Sequence, residues 1–97
     1  MSKSAREIFR LQKDFVVANR LGIHARVAAQ IVKAAAQFES EVHISKSGVS
    51  VSGKSILDLM TLICPHGSTI QVTVEGPDAP EALDALASLF QTKFGEP

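Results

Sequence analysis

The stretch KDFVVANRLGIHARVAAQIVKAAAQF, residues 13–38, changes period in its middle. Lys13 to Asn19 has an apolar, β-branched centre, Phe15-Val16-Val17, closed by Asn19 and Gly22, which predicts a strand followed by a turn. From Ala25 to Phe38 the apolar positions Val27, Ile31, Ala34, Ala35 and Phe38 keep helical spacing. Alanine, the best helix former, dominates this stretch. A strand that feeds a helix through a tight turn needs further strands to bury both, and the rest of the chain supplies them.

Downstream, Val42 and Ile44 point one way and His43 the other across Glu41–Ser45. Lys46-Ser47-Gly48 turns, and Val49 and Val51 resume the alternation, giving a β-hairpin. Lys54 to Leu62 reads as a short apolar helix, and Pro65-His66-Gly67 closes the loop after it. Ile70, Val72 and Val74 alternate in TIQVTVEG as a fourth strand. Asp78, with Glu81 three residues on, has capping-box spacing, and Leu83, Leu86, Phe90 and Phe94 form one apolar stripe behind it. The order β-α-β-β-α-β-α predicts an α+β fold in two layers: a four-stranded antiparallel sheet with three helices on one face. Upstream, residues 1–12 read as an N-terminal extension in which Ile8, Phe9 and Leu11 make a helical turn. The domain proper is then 13–97.

Composition narrows the function classes. The 97 residues suit one domain, with 45% hydrophobic and 21% charged positions, which excludes a disordered tail or a disulfide scaffold. Ten Lys and Arg balance ten Asp and Glu, so the basic footprint of a nucleic-acid binder is missing. A small RNA-binding domain would also need stacking aromatics, yet there is no Trp or Tyr and only Phe15 falls in an expected strand. No apolar run is long enough to span a membrane, and the charged start MSKSAREIFR is unlike a secretory signal. One cysteine, Cys64, fits a reducing compartment, so a cytoplasmic location is expected. A chain of this size has little room for a deep substrate cavity, which favours a surface site that works through a larger partner.

The most informative turn is Asn19-Arg20-Leu21-Gly22-Ile23-His24-Ala25-Arg26. His24 falls where the first helix begins, beside N–H groups that have no intrahelical acceptor and favour an anion. Arg26 adds a fixed positive charge. An imidazole that is substantially neutral near pH 7, beside an anion site, suits transient phosphorylation of a ring nitrogen. On spacing alone, an ordinary helix-start histidine bonded to the backbone is the commoner case. Ser55 reads as the N-cap of the second helix. His43 reads as a solvated strand residue. Cys64 and His66 lack a second cysteine or zinc-type spacing, so no metal site is expected.

The segment LGIHARVAAQIVK (21–33) closely resembles the active-site signature of the HPr family, the histidine-containing phosphocarriers of the bacterial phosphoenolpyruvate phosphotransferase system. GKSILDLMTL (53–62) is similar to that family's regulatory-serine segment. The Gly67-Ser68 turn, TIQVTVEG and EALDALASLF continue the resemblance over about residues 13–94. The resemblance implies an open-faced β-sandwich and a stoichiometric carrier, not an enzyme, that uses no cofactor. It implies that His24 accepts a phosphoryl group on Nδ1 from enzyme I and passes it to a histidine of an enzyme IIA component, while Arg26 steadies the charge. Ser55 matches the serine that an HPr kinase/phosphorylase modifies in some bacteria, a role compatible with capping because a helix start tolerates phosphate. Arg20, Ile23, Lys33, Ile56, Leu57 and Met60 are the expected docking residues of a monomer. Leu59 and Ile63 add to an apolar set too large for one face of a short helix.

The sequence departs from the family pattern at Val27, where proline is usual, at Ile63 in place of a glycine, and in the Cys64-Pro65-His66 loop. Valine restores an N–H that proline lacks in a first helical turn. These departures and the extension suggest a divergent member. Its alternative role is that of a regulatory binding protein, in a nitrogen-related branch or working through Ser55, apart from sugar uptake.

Overall fold

Period-two burial along three segments builds the sheet. The computed structural model describes residues 7–97, in the order β1 (Phe9–Val16), α1 (Ala25–Ala35), β2 (Glu41–Lys46), β3 (Val49–Ser52), α2 (Ile56–Thr61), β4 (Thr69–Gly76) and α3 (Ala79–Gln91). The strands lie in the order β1-β4-β2-β3 and every pair is antiparallel. Strand β4 is central, pairing with β1 from Val16↔Thr69 to Phe9↔Gly76 and with β2 from Ser45↔Gln71 to Glu41↔Glu75. Ile70, Val72 and Val74 of β4, Val42 and Ile44 of β2 and Phe15 of β1 are buried. Val27, Ala28 and Ile31 of α1, Leu59 of α2, and Leu86 and Phe90 of α3 complete the core. Intervening strand residues such as Gln12, Asp14 and His43 are exposed. This is the two-layer α+β architecture and element order that the sequence predicts.

Long-range bonds move several boundaries. Strand β1 starts at Phe9, not Lys13, and Phe9–Gln12 pair with Gly76–Thr73 instead of forming a helical turn. The edge of β4 presents N–H and C=O groups along its whole length, and pairing them outweighs the polar character of Arg10 and Gln12. Ile8 stands outside the strand and is exposed. Val49 of β3 is also exposed rather than inward-facing. The hairpin turn contracts to Ser47-Gly48, with φ of 53° and 85°, the two positive angles of a type I′ turn.

Helix α1 ends at Ala35 instead of reaching Phe38, and α3 lacks the expected side-chain cap. Both differences come from Asp78. Its carboxylate accepts from the N–H groups of Glu39 and Ser40, each at 2.9 Å, and from the Ser40 hydroxyl at 2.5 Å. It thereby draws the chain out of α1 into β2 and is unavailable to its own helix. Phe94 is buried, but it does not extend the α3 stripe. It sits in a one-turn 3-10 segment, Lys93–Gly95, where Lys93 and Phe94 have φ of 54° and 57°. The Phe94 ring meets Phe90 edge-on at 4.9 Å, and Phe90 stacks on Phe15 at 4.6 Å.

The β1–α1 turn depends on Gly22. Its φ is 72°, and a Cβ there would overlap the Cys64 carbonyl and Pro65 Cα. Gly22→Ala is expected to cost about 1–3 kcal/mol through backbone strain, before any clash is counted. Denaturant titration checks this, and a wild-type midpoint would contradict the close approach. A second expectation concerns pH. The Ser40 hydroxyl first, then the Glu39 and Ser40 amides, hold the Asp78 carboxyl below its ordinary 3.8. A depressed folded-state value means that the ionised carboxylate stabilises the fold above pH 3.8, and that this is lost as pH falls through the folded value. Asp78→Asn should lower Tm at pH 7, and the gap to wild type should close on acidification. A gap that persists at low pH would mean that the charge is not what matters.

Candidate functional site

The turn after β1 is tied down from both sides. The Val17 amide donates to Ser68 O (2.8 Å), Gly67 N to Val17 O (2.7 Å), and Ile23 N to Cys64 O (2.9 Å). Asn19 is fully buried, and its Nδ2 donates to Gly22 O at 2.7 Å and to Glu96 Oε1 at 2.9 Å. Two acceptors around that nitrogen fix the amide orientation, because a flip would set oxygen against oxygen. Asn19 Oδ1 is buried and has no hydrogen-bond partner among the described residues.

His24 is the N-cap residue of α1, with extended backbone (φ −103°, ψ −178°), and its side chain makes no cap bond. Its carbonyl accepts from Ala28 N at 2.9 Å, so the helix starts at Ala25. The amides of Ala25, Arg26 and Val27 therefore precede the first intrahelical donor. Val27 is wholly buried, so its side chain joins the core. The His24 ring is only 29% exposed and does not bond the backbone as an ordinary helix-start histidine would. Its Nε2 instead lies 2.9 Å from Glu96 Oε1 and 3.1 Å from Oε2. The hydrogen bonds from His24 and then Asn19 hold the Glu96 carboxyl below the usual range, and the Arg26 charge contributes less. Arg20, Leu21, Arg26, Glu96 and Pro97 line one shallow cleft, where Arg20 N donates to Pro97 O at 2.6 Å.

Among the other expected residues, Arg20 and Lys33 are exposed, the latter in the last turn of α1. Ile23 is a correction: it is 9% exposed and belongs to the core, because the turn sends Leu21 outward and Ile23 inward. Ser55 caps α2, its Oγ accepting from Asp58 N at 3.2 Å. Ile56, Leu57, Met60 and Ile63 are exposed while Leu59 and Leu62 are buried, which divides the apolar set into an outer and an inner face. The Ile23–Cys64 bond places exposed Leu21 and Ile63 close to one junction. Cys64 is buried, which raises its thiol pKa, and Lys46 Nζ donates to the neighbouring Ile63 carbonyl. His43 Nε2 lies 3.5 Å from Glu41 at the surface. Sequence reasoning missed Glu96 and Asn19. Asn19 carries a faint signal, as a buried amide beside a glycine turn, but Glu96 is 72 residues from His24 and has none.

A family model described as the PTS HPr component phosphorylation site matches residues 11–92. The phosphocarrier protein HPr of Cupriavidus necator is 43% identical over 86 residues, covering 89% of this chain and 97% of that protein. The phosphocarrier protein HPr of Treponema pallidum is 45% identical over 84 residues, covering 87% and 96%. The crystal structure of HPr-C-His from Thermoanaerobacter tengcongensis superposes with a TM-score of 0.86 at 36% identity, covering 90% of this chain and 98% of that one. The family match runs from within β1 through all three helices and includes the His24 turn, and the chain belongs to the HPr family of phosphocarrier proteins of the phosphotransferase system.

Proposed function

We propose that His24 takes a phosphoryl group on Nδ1 from phosphorylated enzyme I and yields it to a histidine of an enzyme IIA component. The observation that carries this reading is a half-buried imidazole standing at the uncapped start of α1. The first amides of the helix are free to receive phosphoryl oxygens, and the Arg26 guanidinium is exposed beside them. Nδ1 has no hydrogen-bond partner among the described residues, whereas Nε2 is engaged. A few amides and one arginine hold the group loosely, as a carrier requires. Positioning and charge stabilisation supply most of the catalysis in phosphoryl transfer, and the larger partners would provide them. The chain then acts as a protein substrate and works in the cytoplasm.

Docking falls to the exposed apolar residues Ile56, Leu57 and Met60, flanked by Arg20 and Lys33. Ser55 is the regulatory phosphorylation site in this reading. Its Oγ accepts from Asp58 N, so a phosphoryl group added there would sit at the start of α2. Added negative charge would then sit beside the apolar docking residues and weaken partner binding.

The deciding experiment is intact mass after incubation with phosphoenolpyruvate and enzyme I from the same organism. The wild-type chain should gain one acid-labile phosphoryl group and His24→Ala none. No gain in wild type would end the carrier reading and leave docking regulated at Ser55 as the alternative. Ser55→Ala removes the α2 cap and should cost about 1 kcal/mol in chemical denaturation, with phosphorylation at His24 retained. Loss of His24 phosphorylation in that variant would show that α2 shapes the acceptor site itself.

A further inference from the structure

The chain after α3 is turned back on itself at a cost. Lys93, Phe94 and Gly95 have φ of 54°, 57° and 74°, three left-handed residues in a row of which only one is glycine. Non-glycine residues in that region carry about 1 kcal/mol of strain or more each, and such strain persists only where the surroundings enforce it. Two anchors do so. Phe94 is buried against Phe90, with its carbonyl accepting from Gln30 Nε2 at 3.1 Å, and the Pro97 carbonyl accepts from Arg20 N. Between them lies Glu96, its side chain 13% exposed, with both carboxylate oxygens on His24 Nε2.

We propose that Glu96 is a positioning residue for phosphoryl transfer, which by accepting the Nε2–H of His24 fixes the tautomer whose nucleophilic lone pair lies on Nδ1. This rests on the carrier reading for its purpose, but its chemistry is testable without enzyme I. An ionised carboxylate has no proton to donate, so the nitrogen it touches carries one, and in the neutral ring Nδ1 is then the nitrogen with the lone pair. The depressed titration of Glu96 keeps it ionised at neutral pH. Asn19 Nδ2 occupies Oε1 from a second direction and fixes the carboxylate in turn.

The transfer step balances with no proton leaving the site. The Nδ1 lone pair forms the new N–P bond as the N–P bond of a phosphohistidine donor breaks, and that electron pair returns to the donor nitrogen. The His24 ring keeps its Nε2 proton and becomes positively charged, and Glu96 compensates that charge through the existing hydrogen bond. The carboxylate also repels the incoming phosphoryl oxygens. That repulsion acts across the width of the ring and is opposed by Arg26, whereas the hydrogen bond is direct, so the favourable effect prevails.

The test uses phosphoramidate, a small donor that phosphorylates either imidazole nitrogen and releases ammonia, on the full chain and on Glu96→Ala and Glu96→Gln. Phosphorus–proton NMR assigns the modified nitrogen. Wild type should carry the group on Nδ1, and Glu96→Ala should raise the Nε2 to Nδ1 ratio about ten-fold or more, the size of one lost charge-assisted hydrogen bond. Glu96→Gln should fall between them, because its amide oxygen still accepts from Nε2–H. Merely filling space at the end of the chain would leave this ratio unmoved. An Ala variant with the wild-type ratio overturns the proposal. The carrier reading fails separately, if enzyme I leaves the wild-type chain unmodified.

Discussion

Strand β4 has a hydrogen-bonded neighbour on each side, and its three inward residues, Ile70, Val72 and Val74, lie in the shared core of sheet and helices. Because side chains alternate with a period of two, a slip of one residue would expose all three and bury Gln71 and Thr73. This register therefore sets everything attached to it. It places the start of β1 beside Gly76 and its end beside Thr69. The turn carrying His24 consequently emerges next to the loop that leads into β4, where the Ser68, Gly67 and Cys64 backbone groups clamp it.

The site is thus assembled from three parts of the chain that have little to do with one another in sequence. The β1–α1 turn supplies the histidine, the arginine and the open helix end. The loop before β4 holds that turn rigid through backbone bonds alone. The segment after α3 supplies the only carboxylate bonded to the imidazole among the described residues. Such division leaves the imidazole partly open to solvent while its orientation is set from beneath.

How much of this could be read in advance follows the range of the interactions. Alternation in β2 and β4, the alanine-rich α1 and the Ser55 cap are local signals, and each appears in the structure. The histidine, its glycine turn and the neighbouring arginine are also contiguous, so they were legible. Asp78 shows the limit of local rules. Its spacing to Glu81 is that of a capping box, yet two amides and a hydroxyl near residue 40 compete for the same carboxylate and win. Ile23 was misplaced because a turn, unlike a strand or helix, has no period from which to read the inward direction. The Glu96 contact was illegible for a deeper reason: it depends on a left-handed bend at Lys93 and Phe94, residues whose own preferences oppose it.

Helix α2 has only six residues and, within its span, a single buried side chain, Leu59. A helix this short closes few intrahelical bonds, so it depends on packing through Leu59 and the adjoining Leu62 and on the Ser55 cap. Its amides are therefore expected to exchange faster than those of the strands that flank β4. The surface it presents is then plastic while the imidazole beyond it is braced. A braced imidazole beside a compliant helix separates the two demands, since α2 can adjust its shape without moving the ring.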